Sequence, residues 1–93
     1  MRKPWEKQEK RLAGIIGGTR NAGSGNGWVR KNDVRNRDYL VEAKWTEHRS
    51  YRLRVEDLLS LAHHADVEGR TPAFCIEIDG HNYVVLREQD WER

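Results

Sequence analysis

The chain has 93 residues, of which 37% are hydrophobic, and it carries 17 Lys and Arg against 15 Asp and Glu. A chain this short forms one domain with a thin core, because it buries only about 60% of its unfolded surface, so we expect residues 1–93 to be a single domain. It has no apolar run near the ~20 residues that cross a bilayer and no signal-peptide pattern, which excludes a membrane-spanning protein and predicts a cytoplasmic one.

The N-terminal region predicts a helix followed by a loop. Pro4 suits a first helical turn, and four residues recur at helical spacing and predict a helix over 4–16, namely Glu9, Leu12, Ala13 and Ile16. Gly17 and Gly18 end this pattern. The glycine-rich stretch 17–27 then predicts a flexible loop without helix or strand, because glycine resists ordering.

The rest of the chain alternates strand and helix patterns. In chain order we expect strands at 28–34 and 38–45, a short extended piece at 51–53, a helix at 55–67, and strands at 73–78 and 83–86. Arg35-Asn36-Arg37 joins the first two strands, and Asp79-Gly80 is a hairpin signal between the last two. The order α-β-β-α-β-β predicts an α/β fold with a small mixed sheet flanked by helices.

The cysteine and tryptophan residues carry simpler expectations. One cysteine, Cys75, excludes an intrachain disulfide and cannot supply a Cys₄ or Cys₂His₂ zinc site. We interpret it as a small core residue rather than a nucleophile, since no base accompanies it. Trp5 and Trp45 are expected in the core, although either ring could instead contact DNA.

Charge is distributed unevenly along the chain. Residues 1–54 contain 14 Lys and Arg against 6 Asp and Glu, whereas residues 55–93 contain 3 against 9. Aromatic residues are interleaved with the basic half, and this combination suits a polyanion, because cations neutralise phosphates and aromatic faces stack on exposed bases. Nucleic acid is therefore the leading partner. The alternative is that these charges only solvate the domain and cancel against the acidic half in space.

Two carboxylates and a lysine form the main candidate site. Successive side chains alternate across a strand, so Glu42 and Lys44 share one face of the second strand. Hairpin pairing brings Asp33 beside Glu42. Two carboxylates suit Mg²⁺, which keeps several waters and accepts phosphate oxygens, and the lysine can orient water or stabilise charge on a phosphate. Taken alone, this spacing also fits charged residues on the solvent face of a sheet.

The first helix offers a further carboxylate. Glu9 shares its face with Leu12, Ala13 and Ile16, so it points inward with the apolar stripe, whereas Glu6 does not. Glu9 is therefore preferred to Glu6 as a site residue. The alternative for Glu9 is an exposed ion pair at the edge of the stripe.

Together these residues resemble a known family. Helical Glu9, the Gly-Ser-Gly loop around Ser24, Asp33, and Glu42-Ala43-Lys44 resemble the PD-(D/E)xK phosphodiesterases. Within that superfamily the chain is similar to the small archaeal-type Holliday junction resolvases and their phage-encoded relatives. The resemblance extends from about residue 5 to residue 91 and departs from the motif at Asn32, where the family name has proline.

The resemblance implies a restriction-endonuclease-like core and a Mg²⁺-dependent DNA endonuclease, with Mn²⁺ as a possible substitute. It implies that Asp33, Glu42 and Glu9 bind the metal and that Lys44 and Ser24 also serve catalysis. Branched, four-way DNA would be the substrate, cut by a homodimer, in the host cytoplasm if the protein is phage-encoded. The basic residues expected to hold flanking phosphates are Arg20, Arg30, Lys31, Arg35, Arg49, Arg52 and Arg54.

Three other functions compete with this interpretation. The chain could be a structure-tolerant nicking endonuclease of a phage. It could be a non-catalytic nucleic-acid-binding module, in which the carboxylates only pair with the abundant arginines. It could also be a protein-interaction subunit that uses the acidic second half.

Overall fold

The computed structural model describes residues 3–17, 19–20 and 33–91, with the backbone alone at 19, 20 and 33. These residues form a small α/β protein. Its helices are α1 (Pro4–Ile16), α2 (Val55–Glu68) and α3 (Glu88–Trp91), and its strands are β1 (Thr19–Arg20), β2 (Asp33–Arg35), β3 (Tyr39–Thr46), β4 (Thr71–Ile78) and β5 (His81–Val85). Within the described ranges, the helices are too short or too polar to cross a membrane.

The strands form one mixed sheet in the order β1-β2-β3-β4-β5. β3 and β4 run parallel, and the other neighbouring pairs run antiparallel. A parallel pair needs a long crossover connection, and the segment with α2 supplies it here. The predicted mixed sheet is therefore confirmed, with β3 as its central strand.

Each face of the sheet carries its own apolar cluster. On one face Leu12 of α1 packs against Val41 and Ala43 of β3. On the other face Leu61 and Ala65 of α2 pack against further apolar residues, namely Leu40, Phe74 and Ile76. Two helices thus cover opposite faces of a single sheet, and side-chain alternation along β3 decides which residues meet which helix.

The helix boundaries follow the sequence signals closely. The helix predicted over 4–16 has those bounds, and Gly17 caps it in the left-handed conformation at φ 64°, which explains why glycine stands there. The helix predicted over 55–67 ends one residue later, at Glu68. Asp79 and Gly80 both have positive φ, as a two-residue type I′ hairpin requires, so the predicted hairpin of β4 and β5 is confirmed.

The elements differ from the predicted ones in three places. The stretch 17–27 was expected to contain no strand, yet Thr19–Arg20 pairs antiparallel with β2, because pairing satisfies backbone groups whatever the local glycine content. Residues 51–53 lie outside the strands. The C-terminal helix α3 was not predicted, since four residues are too few to show a helical period. Of the first predicted strand, residues 28–32 lie outside the described part.

An arginine holds α3 against α2. Nε of Arg87 donates to Oδ2 of Asp90 at 2.6 Å, and Nη1 donates to Oδ2 of Asp66 at 3.2 Å. These two carboxylates raise the pKa of Arg87, Asp90 more than Asp66. The Asp90 side chain is almost fully buried, so its charge depends on this partner.

Replacing Arg87 with alanine should lower the free energy of unfolding by about 2 kcal/mol, because the substitution leaves the Asp90 carboxylate buried without its arginine. Urea denaturation monitored by circular dichroism measures the change. Arg37→Ala is the matched control, since that side chain is 94% exposed and should change stability by less than about 0.5 kcal/mol. Equal effects of the two substitutions would contradict the assignment.

Candidate active site

Three of the predicted catalytic residues, Asp33, Glu42 and Lys44, lie on β2 and β3. The backbone of Asp33 lies directly opposite Glu42 in the antiparallel register, which confirms the predicted pairing of the two strands at these positions. Lys44 follows on the same strand, with its Nζ 3.2 Å from Oε2 of Glu42. The hairpin thus sets the backbone of an acidic residue opposite Glu42, whose carboxylate pairs with the ammonium group of Lys44.

Glu42 and Lys44 lie on the face that α2 covers. In the parallel register Glu42 is the partner of Phe74, and Lys44 is the partner of Ile76, both of which belong to the cluster packed against α2. The Glu42 side chain is 6% exposed, whereas that of Lys44 is 33% exposed. The Glu42 carboxylate is therefore buried, and the lysine that pairs with it is partly exposed to solvent. On the solvent face of a sheet, both side chains would be exposed.

Tyr51 is a residue of this site that the sequence analysis missed. It follows β3 and packs its ring against Phe74, with 6.3 Å between ring centroids. Burial raises the pKa of Tyr51, the ammonium of Lys44 opposes that rise, and the carboxylates of Asp57 and Glu42 add to it. Its hydroxyl therefore stays protonated in the electrostatic field of the pair. No sequence signal distinguishes this tyrosine from one in an ordinary strand.

Gln8 is the second residue that the sequence analysis missed, and it contacts the backbone of the site from α1. Its side chain is fully buried, and Nε2 donates to the carbonyl of Lys44 at 2.6 Å and to that of Cys75 at 3.4 Å. Its Oε1 atom has no hydrogen-bond partner among the described residues. Gln8 thus ties α1 to β3 and β4 at the position of the lysine. Its place one turn before Leu12 on the apolar stripe was the available signal.

Glu9 belongs to α1, on the other side of the sheet from α2. It is 4% exposed, which confirms that it points inward from α1. However, α1 packs on the face of Val41 and Ala43, and strand alternation puts Glu42 on the opposite face. Among the side chains that the structure describes, no three His, Cys, Asp or Glu residues are placed to hold a metal ion together. The role of Glu9 as a ligand stays a prediction.

The predicted phosphate-binding residues lie in different parts of the structure. Arg49, Arg52 and Arg54 are exposed on the connection between β3 and α2, so this basic segment, 47–54, leaves β3 just after Lys44. Arg20 lies on β1, where only the backbone is described. Ser24 and two further predicted residues, Arg30 and Lys31, lie outside the described residues.

Arg35 differs from the exposed arginines because it belongs to an ion-pair network. Its Nη1 lies 3.3 Å from Oε1 of Glu68, and Arg70 contacts the same carboxylate. Arg70 also donates from Nε to the carbonyl of Asn36 at 2.6 Å. The network joins the end of α2 to β2, so Arg35 has a structural partner in addition to its predicted role at phosphates.

The remaining expectations concern the core. Cys75 is buried as expected, and burial raises the pKa of its thiol to about 11, with Arg11 opposing the shift. A thiol so reluctant to ionise is a poor nucleophile. Trp5 was expected in the core but is 41% exposed, because it occupies the open first turn of α1. Trp45 is half-buried near the end of β3.

The ion pair predicts opposite effects for its two members. Lys44→Met should lower the free energy of unfolding by about 1–2 kcal/mol, since it leaves the charge of Glu42 buried. Glu42→Gln removes that charge and should leave the protein at least as stable, because Lys44 can turn toward solvent. Urea unfolding of both variants measures this difference. Equal losses would contradict the burial of Glu42.

Cys75 predicts a loss of stability at alkaline pH. Its thiol ionises at a higher pH when folded than the ordinary 9.0, so its stabilising contribution is complete below pH 9 and is lost as the pH rises toward 11. The difference in unfolding free energy between wild type and Cys75→Ala should shrink by about 1–2 kcal/mol from pH 8 to pH 10.5. Denaturation at both pH values measures it, and a constant difference would disprove the expectation.

Comparison with protein-family models, with curated proteins and with solved structures found no significant match to this chain.

Proposed function

We propose that the protein is a Mg²⁺-dependent DNA endonuclease that hydrolyses phosphodiester bonds in branched DNA, above all four-way junctions, and acts as a homodimer. The observation that carries this proposal is the meeting of Asp33, Glu42 and Lys44 on neighbouring strands. Asp33 lies opposite Glu42 in the register, and Lys44 pairs with Glu42 at 3.2 Å. These are the three residues that the resemblance to PD-(D/E)xK nucleases assigns to metal binding and catalysis.

The arrangement of elements supports the same proposal. A helix is followed by antiparallel β2 and β3, and α2 then leads to β4, parallel to β3. The acidic residues and the lysine lie on the hairpin, beside a helical crossover. This is the order of elements expected for the restriction-endonuclease-like core that we propose here.

The donor set suits the proposed ion. Asp33 and Glu42 would hold Mg²⁺ through carboxylate oxygens, which hard cations prefer, and Mn²⁺ accepts the same donors. When bound, such an ion supplies a water of lowered pKa and offsets negative charge on the phosphate. The burial of Glu42 fits this role, since a charge costly to bury is retained where chemistry uses it.

The other side chains of the site have separate tasks in the proposal. The ammonium of Lys44 holds the Glu42 carboxylate in place and, being one-third exposed, also reaches a phosphate or an attacking water. The hydroxyl of Tyr51, which stays protonated, can donate a hydrogen bond to a phosphate or a water beside Glu42 and Lys44. In the proposal, Glu9 is an additional acidic residue, and a substitution at Glu9 alone would test its role.

The basic segment 47–54 would hold the DNA backbone. It carries three exposed arginines and leaves the strand that bears Lys44, so phosphates bound there would lie beside the site. Arginine contacts of this kind position the duplex without reading its sequence. Such contacts recognise the backbone and the shape of DNA. This mode of recognition suits a branched substrate better than recognition of a fixed base sequence would.

The decisive experiment is a cleavage assay on a four-way junction, a flap and plain duplex, each with Mg²⁺, Mn²⁺ or EDTA. We expect metal-dependent cutting with the junction preferred, and we expect Asp33→Asn and Lys44→Ala to reduce the rate at least ~100-fold while both variants still bind junction. Cutting is measured by gel electrophoresis of labelled strands, and binding by fluorescence anisotropy.

Matched controls keep the result specific to the site. Asp38→Asn makes the same change at an exposed aspartate in the turn before β3, and Lys10→Ala makes the same change at an exposed lysine of α1. Both controls should cleave like the wild type. Full activity of Asp33→Asn and Lys44→Ala would remove these residues from the mechanism. Equal rates on junction, flap and duplex would favour the structure-tolerant nicking enzyme.

A nucleic-acid-binding module without catalysis is the second candidate. The observation that favours it is the direct pairing of Glu42 with Lys44, since such a pair also neutralises a buried carboxylate without any metal. Binding that is indifferent to Mg²⁺, with no cutting under any divalent ion, would support this alternative over the nuclease.

A further inference from the structure

The two edges of the sheet differ in how they are protected. At one edge, the part of β1 that the structure describes is Thr19–Arg20, which includes an arginine. The other edge, β5, has five residues, His81–Val85, and contains no Lys, Arg, Asp, Glu or Pro. Natural proteins usually protect an edge strand with charge, proline or shortness, because its free backbone groups otherwise pair with another chain. Of these two edges, β5 is the unprotected one.

Exposed apolar side chains are concentrated around β5. Tyr83 and Val84 on the strand itself are 56% and 61% exposed, and Trp91, at the end of α3, is 73% exposed. A surface groove beside this helix is lined by Val84 and Trp91. The strand edge and the neighbouring helix thus form one continuous apolar surface.

The helix α2 extends this surface on one face of the sheet. Val55 and Leu59 are both more than half exposed, and they lie on the same helical stripe as Asp66. Asp66 pairs with Arg87, which lies two residues beyond β5, so this stripe faces the β5 side of the sheet. The exposed apolar residues of α2 therefore border the unprotected edge.

A groove extends the surface on the opposite face. It has a volume of about 360 Å³, and its lining includes Ile15, Cys75, Val84 and Leu86. On the α1 wall of the groove, opposite β5, Ile15 is 67% exposed and lies beside Arg11. The hydrogen bond from Arg11 to Asn82, at 3.0 Å, joins α1 to β5 across this groove.

We propose that β5 pairs antiparallel with β5 of a second copy, which joins the two sheets into one. Antiparallel pairing of identical strands is isologous. A two-fold axis normal to the sheet places the α1 faces of both copies on one side of the joined sheet and the α2 faces on the other. The apolar grooves then adjoin on one face, and the stripes of Val55 and Leu59 approach each other on the other. The residues of β5 themselves carry no formal charge, so the paired strands place no like charges opposite each other.

The size and charge of the surface fit a second copy. Stable interfaces bury about 800 Å² per partner, which is about one-eighth of the 6609 Å² accessible surface of this chain. A strand edge with apolar borders on both faces has the charge-poor centre of such an interface. The pairing also supplies a surface for the dimer that the proposed nuclease requires, but it does not depend on nuclease activity.

The test measures molar mass by light scattering after size exclusion, without DNA or metal. At about 50 µM, well above the Kd of an ordinary interface, wild type should have twice the mass of the 11.0 kDa chain. Val84→Lys places two ammonium groups near the two-fold axis and should reduce the mass twofold, to that of one chain. Val67→Lys makes the same change at a 74% exposed valine outside the proposed surface and should remain dimeric.

Hydrogen exchange tests the interface itself in the wild type. Amides of β5 that point away from β4 should be protected in the dimer, and this protection should fall on dilution. Circular dichroism checks that Val84→Lys is folded, and Tyr83→Lys replaces it if that variant does not fold. A monomeric wild type, a dimeric and folded Val84→Lys, or unprotected β5 amides would each overturn the proposal. Any of these results would leave the cleavage assay unaffected.

Discussion

The position of β3 between two different helices is the constraint on which the rest of the structure depends. Val41 and Ala43 pack beneath α1, and Leu40 and Glu42 lie on the face covered by α2. A shift of the strand by one residue would exchange these faces and place the carboxylate among the α1 contacts. The apolar clusters thus set the register, and the register sets Asp33 opposite Glu42. In this small domain, the same contacts therefore determine both the packing of the core and the geometry of the site.

The domain tolerates costly polar burial inside a thin core. Glu42 and Gln8 are both buried at β3, where an apolar residue would pack at lower cost. The ion pair with Lys44 offsets the cost of burying the Glu42 charge. Gln8 offsets part of its own cost by donating hydrogen bonds to the carbonyls of Lys44 and Cys75. Buried groups that oppose stability are common where a protein retains them for chemistry. This cost is the physical reason to interpret the β2–β3 hairpin as a functional site.

The chemical character of the surface changes across the sheet. The carboxylate–lysine pair and the exposed arginines of segment 47–54 belong to β3 and its exit, whereas the apolar surface surrounds β5, two strands away. Neighbouring strands lie about 4.8 Å apart, so the two regions are close but separate. In the proposed dimer, one sheet would carry two such sites symmetrically about β5. The protein would thereby divide binding of DNA and binding of its own copy between different strands.

The local elements follow from the sequence alone, because capping, spacing and turn chemistry act within a few residues. The α1 bounds, the Gly17 cap and the Asp79-Gly80 hairpin follow from such signals, and so does the inward direction of Glu9. The tertiary structure alone decided what depends on partners distant in the chain. Thr19–Arg20 becomes a strand because β2 lies beside it, and Tyr51 and Gln8 join the site through contacts with Phe74 and the carbonyl of Lys44. The contact of Tyr51 carries no local period, so no pattern in the sequence indicates it. The helical spacing of Gln8 from Leu12 indicates that Gln8 faces inward, but not which carbonyl it binds.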